Sequence, residues 1–358
     1  MRLLLVSDIH LGVKQNSETF LNNTRDFFLK QISPAITSNK IDQLWILGDL
    51  FDCRNNTNVL VNNVALQIIA TLVKNHPTLP IRILAGNHDI YYKNTLSVTS
   101  LKIFKRFHKN VEVISEITEY NLDGCPTLVV PWLVKNSQNY NKFINICKEP
   151  KKYSLCLGHF EVNGFEIIKG VVEKSGFNED LFKVFDNVFT GHFHLRNKIS
   201  NIQYLGCPYE ITWNDFGDPK GFTIFDTTTK ISTFCQNTIS PKHKKIIYSS
   251  TLLDESLMND ITGNFIKFYI DEPLSTEQRI ELDIQIEAKK PLYCDVINEV
   301  IEGTDENGED IQLSNINGDT LTLIDEYNVQ LPLPIEIKED EFKLYMKKLY
   351  DETVLEDE

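Results

Sequence analysis

The stretch Leu3-Leu4-Leu5-Val6-Ser7-Asp8-Ile9-His10 decides the fold, because an apolar run ends there in an aspartate and a histidine. Four more apolar runs end in a similar way: Leu44-Trp45-Ile46-Leu47-Gly48-Asp49, Ile81-Arg82-Ile83-Leu84-Ala85-Gly86-Asn87-His88-Asp89, Ser154-Leu155-Cys156-Leu157-Gly158-His159 and Val188-Phe189-Thr190-Gly191-His192-Phe193-His194. Short apolar runs are typical of buried strands. Ligands bind at the carboxyl ends of the strands in open α/β sheets. Five such strand ends therefore predict one metal site at one sheet edge, with enough side chains for two ions.

Strands and helices alternate over the first 115 residues. We predict strands at 2–6, 43–47 and 81–85, and helices near 18–32, 59–74 and 96–108. This alternation is typical of a mostly parallel sheet with right-handed crossovers. Strands dominate after residue 110, at 111–115, 117–122, 126–131, 153–157, 186–190, 202–206, 221–226 and 231–236. The predicted fold class is therefore α/β, a two-sheet sandwich flanked by helices.

The last third of the chain predicts three further segments. A linker around 238–246 leads to a small α/β unit with a strand at 264–270, a helix at 275–289 capped by Ser275, and a strand at 291–298. An acidic, polar stretch and two short helices follow. We therefore divide the chain into an N-terminal α/β domain (1–240), a small α/β unit (246–300), an acidic flexible linker (301–318) and a helical segment (319–358).

Composition and charge exclude several classes of protein. The seven cysteines show no paired spacing, which favours reduced thiols in a cytoplasmic protein over a disulfide scaffold. No apolar stretch approaches the length of a membrane span. Residues 251–358 hold 28 acidic and 8 basic residues, which leaves 22 acidic and 28 basic ones in residues 1–250. The mildly basic part suits a polyanionic substrate such as nucleic acid.

The residue types at the strand ends indicate a catalytic metal site. Carboxylate, imidazole and amide ligands without thiolates suit Mn²⁺, Zn²⁺ or Fe²⁺ better than Ca²⁺ or a structural zinc site. We expect Asp49 to bridge two ions at the roughly 3.5–4 Å spacing of two-metal sites. His88 is the candidate catalytic residue, able to protonate a leaving oxygen or hold a phosphate oxygen. We expect Asp52 or Asp89 to orient it.

Each motif alone could be ordinary turn chemistry or a solvated polar loop. Their joint occurrence favours the metal site, because five of the eight histidines lie at these predicted strand ends: His10, His88, His159, His192 and His194. The remaining three, His76, His108 and His243, are expected at the surface.

The order of the motifs, Asp8-x-His10, Gly48-Asp49-x-x-Asp52, Gly86-Asn87-His88-Asp89, Gly158-His159 and Gly191-His192-x-His194, resembles the calcineurin-like metallophosphoesterases. Within them the chain is most similar to the SbcD-type DNA repair nucleases, and among these to the recombination endonuclease subunits of T-even-like bacteriophages. The stretches Gly158–Phe165 and Asp218-Pro219-Lys220-Gly221-Phe222 carry the last likeness. Cys207 departs from the family pattern, which usually has a serine before the proline.

The resemblance implies a ligand set, a list of partners and roles for the segments. Residues 1–240 would be the nuclease domain, 246–300 a capping domain and 319–358 a docking segment. One ion would be held by Asp8, His10, Asp49 and His194, and the other by Asp49, Asn87, His159 and His192. The metal would be Mn²⁺, with Mg²⁺ as the alternative. The partners would be DNA, a second copy of the chain and an SbcC-like coiled-coil ATPase. That ATPase would dock on the last helix, through a face formed by Phe342, Met346 and Leu349.

Three functions follow from these observations. The leading hypothesis is a metal-dependent DNA exo/endonuclease subunit that acts with the ATPase in recombination, repair and replication, in the host-cell cytoplasm if a phage encodes it. The second is a phosphatase or small-molecule phosphodiesterase on the same fold. The third is a non-catalytic scaffold that recruits the ATPase to DNA ends.

Overall fold

The computed structural model describes residues 1–56, 58–149, 151–248, 261–270 and 274–298. The predicted linker at 301–318 and the docking segment at 319–358, with Phe342, Met346 and Leu349, lie outside these residues. Within the described part of the chain, no helix has the length and apolar character needed to cross a membrane.

The strands follow one another along the described residues. In chain order they are β1 (Arg2–Val6), β2 (Gln43–Leu47), β3 (Ile81–Leu84), β4 (Val111–Ile114), β5 (Thr118–Leu122), β6 (Cys125–Val130), β7 (Leu155–His159), β8 (Glu166–Ile168), β9 (Val171–Val172), β10 (Asn187–Gly191), β11 (Asn197–Ile199), β12 (Ile202–Tyr204), β13 (Gly221–Asp226), β14 (Ser232–Gln236), β15 (His243–Tyr248), β16 (Phe265–Ile270) and β17 (Tyr293–Asn298).

Two six-stranded sheets form the main body. The first has the order β14-β13-β1-β2-β3-β4, and the second has the order β11-β12-β10-β7-β6-β5. Strands β1 to β4 run parallel to one another, as do β12, β10, β7 and β6, while antiparallel strands close the edges. The central strands are buried on both faces, so they are almost wholly apolar in sequence.

The sheets pack face to face over a shared core. Leu5 and Trp45 of the first sheet meet Leu157 and Phe189 of the second in one buried cluster. A separate apolar layer covers the outer face of each sheet. The predicted α/β sandwich with helices outside is therefore confirmed.

The helices agree only in part with the sequence predictions. The α-helices are Val13–Asn16, which contains non-helical residues, Glu18–Asp26, Ser33–Ser38, Val59–Asn75, Gln138–Lys148 and Thr276–Ala288. A π-helical turn joins the second and third at Phe27–Ile32, and 3₁₀ turns lie at Ser100–Phe104, Glu179–Val184 and Trp213–Asp215.

The helix expected at 96–108 is wrong. Val98, Leu101, Phe104 and Phe107 recur at a spacing of three, which is the repeat of the 3₁₀ helix rather than the α-helix. Only the turn Ser100–Phe104 forms, and Leu101 and Phe104 are its buried residues.

The small unit is a parallel sheet in the order β15-β16-β17, with the helix Thr276–Ala288 between its last two strands. Ser275 caps that helix through a reciprocal capping box with Gln278. The predicted linker at 238–246 extends too far, because strand β15 already begins at His243. His243 is also not at the surface: it is 5% exposed, lies 3.1 Å from Glu210 and stacks on Phe265.

Candidate metal centre

Each predicted ligand lies at or just beyond the carboxyl end of a central strand. Asp8 and His10 follow β1, Asp49 follows β2, and Asn87 follows β3. The second sheet supplies the remaining three: His159 ends β7, while His192 and His194 follow β10. The expectation of one sheet edge therefore needs correction. Both sheets contribute to the site, because they are stacked so that the carboxyl ends of their central strands face the same opening.

The first donor cluster consists of Asp8, His10 and His194, whose ligand atoms all lie within 4.8 Å of one another. The Nε2 atoms of His10 and His194 are 2.9 Å apart. His10 Nε2 also lies 3.9 Å from Asp49 Oδ2. All four residues expected around one ion are thus brought together.

The second donor cluster consists of Asp49, His159 and His192, with Asn87 between them. The amide oxygen of Asn87 is 2.9 Å from His159 Nε2 and 2.9 Å from His192 Nδ1. His159 Nε2 is also 3.2 Å from Asp49 Oδ2. Ligand atoms that share one metal ion with bonds of about 2.1 Å lie about 3 Å from one another. The separations in this cluster match that distance.

Asp49 belongs to both clusters through a single oxygen. Its Oδ2 faces His159 in one cluster and His10 in the other. Its Oδ1 accepts a hydrogen bond from the backbone N–H of His88 at 2.8 Å. In this arrangement Oδ2 alone faces both donor clusters.

Hydrogen bonds to the outer ring nitrogens aim two imidazoles inward. His159 Nδ1 lies 2.8 Å from the carbonyl oxygen of Leu47, which can only accept, so Nδ1 carries a proton and Nε2 is the atom that points into the site. His10 Nδ1 lies 3.1 Å from Asp52 Oδ1 and is held in the same way. Such outer partners are typical of metal-binding histidines.

The backbone around the donors is strained. Asp8, His10, Asp49 and His192 all have positive φ angles, of 53°, 49°, 51° and 98°. Side-chain-bearing residues adopt such angles rarely, and these conformations concentrate at functional sites. The turns also need glycine. A Cβ on Gly48 would lie 2.2 Å from His159 Nδ1, and one on Gly86 would lie 2.1 Å from Asp49 Oδ1.

An unpartnered buried oxygen tests whether a cation fits. Asp8 is 0% exposed, and its Oδ2 has no hydrogen-bond partner among the described residues. Its other oxygen accepts from the backbone N–H of His192 at 2.9 Å. A buried carboxylate oxygen without a partner is costly. A divalent ion among carboxylate, imidazole and amide donors would satisfy it, so the donor set fits a metal centre.

The pKa values of the buried donors are shifted both by burial and by the charges of neighbouring donors. Burial raises the pKa of the Asp8 carboxyl to about 6, against the opposing effect of His159. Burial disfavours the charged form of His159, yet Asp49 raises the pKa of that ring to about 9. Burial, followed by the nearby imidazoles, lowers the pKa values of His192 and His194 to about 3. Both rings are therefore neutral near pH 7, as metal ligands must be.

His88 lies beside the first cluster, with its ring centroid 4.9 Å from that of His10. Its Nδ1 is 2.6 Å from the main-chain carbonyl of Asp52. The expectation that a carboxylate orients this ring needs correction. The Asp52 carboxylate holds His10 instead, and the buried Asp89 carboxylate accepts from the backbone N–H groups of Phe51 and Gly86 at 3.0 Å each.

Two residues at the centre were missed by the sequence predictions. A terminal nitrogen of Arg54 lies 3.0 Å from the outer atom of the Asn87 amide, so the amide oxygen accepts from Arg54 in one orientation of the amide and faces the two imidazoles in the other. The Trp132 ring centroid lies 5.0 Å from that of His192 and 6.0 Å from that of His159. Arg54 follows Asp52 in the loop after β2, so its position near that strand end was the available signal. Trp132 follows β6 in the same way.

Comparisons with known proteins agree with this geometry. The family model described as calcineurin-like phosphoesterase matches residues 1–196, a range that includes both donor clusters and His88. Exonuclease subunit 1 of Enterobacteria phage T4 is 27% identical over 355 residues, which cover 98% of this chain and 99% of that one.

Two further relatives align over shorter stretches. The SbcD component of the SbcCD nuclease from Staphylococcus saprophyticus is 24% identical over 259 residues, 63% of this chain and 65% of that one. The DNA double-strand break repair protein Mre11 of Sulfurisphaera tokodaii is 24% identical over 267 residues, 70% of this chain and 66% of that one. The predicted resemblance is therefore confirmed, and the chain belongs to the calcineurin-like phosphoesterase family.

Proposed function

We propose that this chain is a DNA nuclease subunit that hydrolyses phosphodiester bonds at a two-metal centre. The observation that carries the proposal is the pair of donor clusters that share Asp49 Oδ2, with His88 beside them. The nearly full-length similarity to an exonuclease subunit of a phage supports DNA as the substrate.

The donors have distinct tasks in this proposal. Asp8, His10, Asp49 and His194 would hold one ion, and Asp49, Asn87, His159 and His192 the other, with Mn²⁺ preferred over Mg²⁺ because imidazole is a poor ligand for Mg²⁺. Bound ions would supply a water of lowered pKa and neutralise charge on the phosphate. Asp52 and Leu47 keep two of the imidazoles aimed inward.

His88 would handle the proton. Its Nδ1 donates to the Asp52 carbonyl, which leaves Nε2 as the atom that faces a substrate. Burial lowers the pKa of His88 despite the nearby Asp49 carboxylate, which favours the neutral form of the ring. Nε2 would take up a proton from solvent and donate it to the leaving oxygen, while the attacking water would lose its own proton to solvent. Asp52 contributes here through its carbonyl, and Asp89 by supporting the loops that carry Asp49 and Asn87.

The remaining segments have proposed roles as well. Residues 1–240 would form the nuclease domain, and the small α/β unit predicted at 246–300 would cap it beside the DNA. The acidic segment 301–318 would connect to a helical segment, 319–358, that docks an SbcC-like ATPase through Phe342, Met346 and Leu349. The active form would be a homodimer in the cytoplasm, which for a phage protein is the cytoplasm of the host cell. It would serve DNA recombination, repair and replication.

The test is a cleavage assay with the full chain in Mn²⁺. We expect degradation of linear DNA and of bis-p-nitrophenyl phosphate, a diester, and little release from p-nitrophenyl phosphate, a monoester. The assay should be run with and without a co-expressed ATPase partner and ATP. Activity on the monoester alone would establish a phosphatase instead. If the chain binds metal but hydrolyses none of the three substrates even with the partner present, a non-catalytic scaffold role would be favoured.

A further inference from the structure

A cavity of about 420 Å³ opens directly beside the second donor cluster. His159, a member of that cluster, forms part of its wall. The lining also includes the aromatic residues Trp132, Tyr140 and Phe177, the lysines Lys93 and Lys135, and the polar residues Ser175 and Glu161. Its volume lies within the range of small-molecule pockets, roughly 300–1,000 Å³, and is large enough for one nucleotide.

The aromatic residues are held in place by their neighbours. The backbone N–H of Trp132 donates to the carbonyl of Ala85 at 2.8 Å, which ties this wall to the end of β3. Tyr140 and Phe177 stack on each other, with centroids 5.4 Å apart and planes 24° apart. Flat, fixed aromatic surfaces are what single-stranded nucleic-acid sites use to stack bases, because every base has a π-face.

The charges around the cavity suit a phosphate backbone. Lys93 and Lys135 are exposed at its border. Glu161, the one carboxylate among the described lining residues, already accepts a hydrogen bond from the Ser175 hydroxyl. Two ammonium groups near a diester would attract the phosphates on either side of it.

We propose that this cavity binds the unpaired base of the nucleotide next to the scissile phosphate. The proposal rests on the nuclease function given above and defines its substrate as a single strand or a frayed end. A base within duplex DNA is stacked on both sides and paired along its edge, so it must leave the helix before it can enter the cavity. Trp132 is then a specificity-determining residue, and the lysines position the flanking phosphates.

The test compares Trp132→Ala, Trp132→Phe and the unchanged chain on single-stranded oligonucleotides in Mn²⁺. Loss of base stacking predicts a drop in kcat/KM of about tenfold for the alanine variant, and near-normal activity for phenylalanine. Hydrolysis of bis-p-nitrophenyl phosphate, which has no base, should fall far less than oligonucleotide cleavage in the alanine variant. Phe107→Ala changes an exposed aromatic residue that does not line the cavity and is the matched control.

An oligonucleotide with one abasic position adds an independent measurement. The unchanged chain should cleave slowly at one bond beside the missing base, whereas Trp132→Ala should show no further loss there, because both changes remove the same contact. Equal abasic effects in the two proteins, or an equal loss on the small diester, would overturn the base pocket. Failure of the unchanged chain to cut any DNA would count against the nuclease function itself.

Discussion

The Nε2 atoms of His10 and His194 face each other at 2.9 Å, although the two residues come from different sheets. Asp52 lies 3.1 Å from the opposite nitrogen of the His10 ring, so that nitrogen carries the proton and Nε2 presents its lone pair. Without metal, one of the two rings must donate a proton across the gap. With a cation, both lone pairs can bind it.

Asp52 should therefore control metal affinity without being a ligand. We expect Asp52→Ala to fold normally and to bind Mn²⁺ roughly 10–100-fold more weakly, because an outer partner of a ligating histidine is lost. Isothermal titration calorimetry with Mn²⁺ measures this directly. Asp26→Ala removes a half-exposed surface carboxylate and is the control. An unchanged affinity in Asp52→Ala would show that the ring needs no such support.

Asp49 should be required for both ions. Because its Oδ2 faces both clusters, Asp49→Ala should lower the metal content to well below one Mn²⁺ per chain. Asn87→Ala should leave about one, since it touches only the second cluster. Elemental analysis after equilibration with Mn²⁺ and gel filtration gives the stoichiometry. Equal metal content in the two variants would contradict the shared position.

His88 should matter for hydrolysis and not for metal binding. We expect His88→Ala to retain its Mn²⁺ content and to lose roughly 10²–10⁴-fold in kcat on the small diester, the usual contribution of a general acid or base. His108→Ala, which changes a partly exposed histidine outside the site, should behave like the unchanged chain. Full activity in His88→Ala would remove this residue from the mechanism.

Lys220 should be a stability determinant close to the site. Its buried ammonium donates to Asp215 Oδ1 at 2.6 Å and to the carbonyl of His194 at 2.9 Å. Lys220→Met leaves a buried carboxylate unpaired, and we expect a loss of about 3–5 kcal/mol in the free energy of unfolding. Urea denaturation measures it. Lys183→Met, at an exposed pair with Asp180, should leave stability unchanged.

The same pair predicts a dependence on pH. Burial opposes ionisation of Asp215, but Lys220 and backbone donors hold its pKa below the ordinary value. A carboxyl with a lowered folded pKa stabilises the fold above its unfolded pKa, near 3.8, and loses that contribution as pH falls further. The stability gap between the unchanged chain and Asp215→Asn should therefore be full at pH 7 and narrow between pH 5 and 3. A gap that stays constant over that range would contradict the pairing.

The sequence was informative wherever the signal was local. Apolar runs that end in Asp, Asn or His located five strands and seven donors, because strand burial and strand-end chemistry are written in consecutive residues. Contacts between distant residues were not predictable. Nothing near Asp52 indicates that its carboxylate faces His10 and its carbonyl faces His88. His243 was misplaced because its basic neighbours suggest a solvated linker, whereas its partner, Glu210, lies 33 positions away.

Each donor cluster takes ligands from both sheets: Asp8 and His10 face His194, and Asp49 and Asn87 face His159 and His192. Neither sheet on its own could hold an ion with this set. A chain that has formed its strands but not yet stacked them should bind metal weakly, so tight binding reports on the tertiary fold. By the same linkage, a bound cation would stabilise the packing of the two sheets against each other. A chelator would weaken that packing before any strand unfolded.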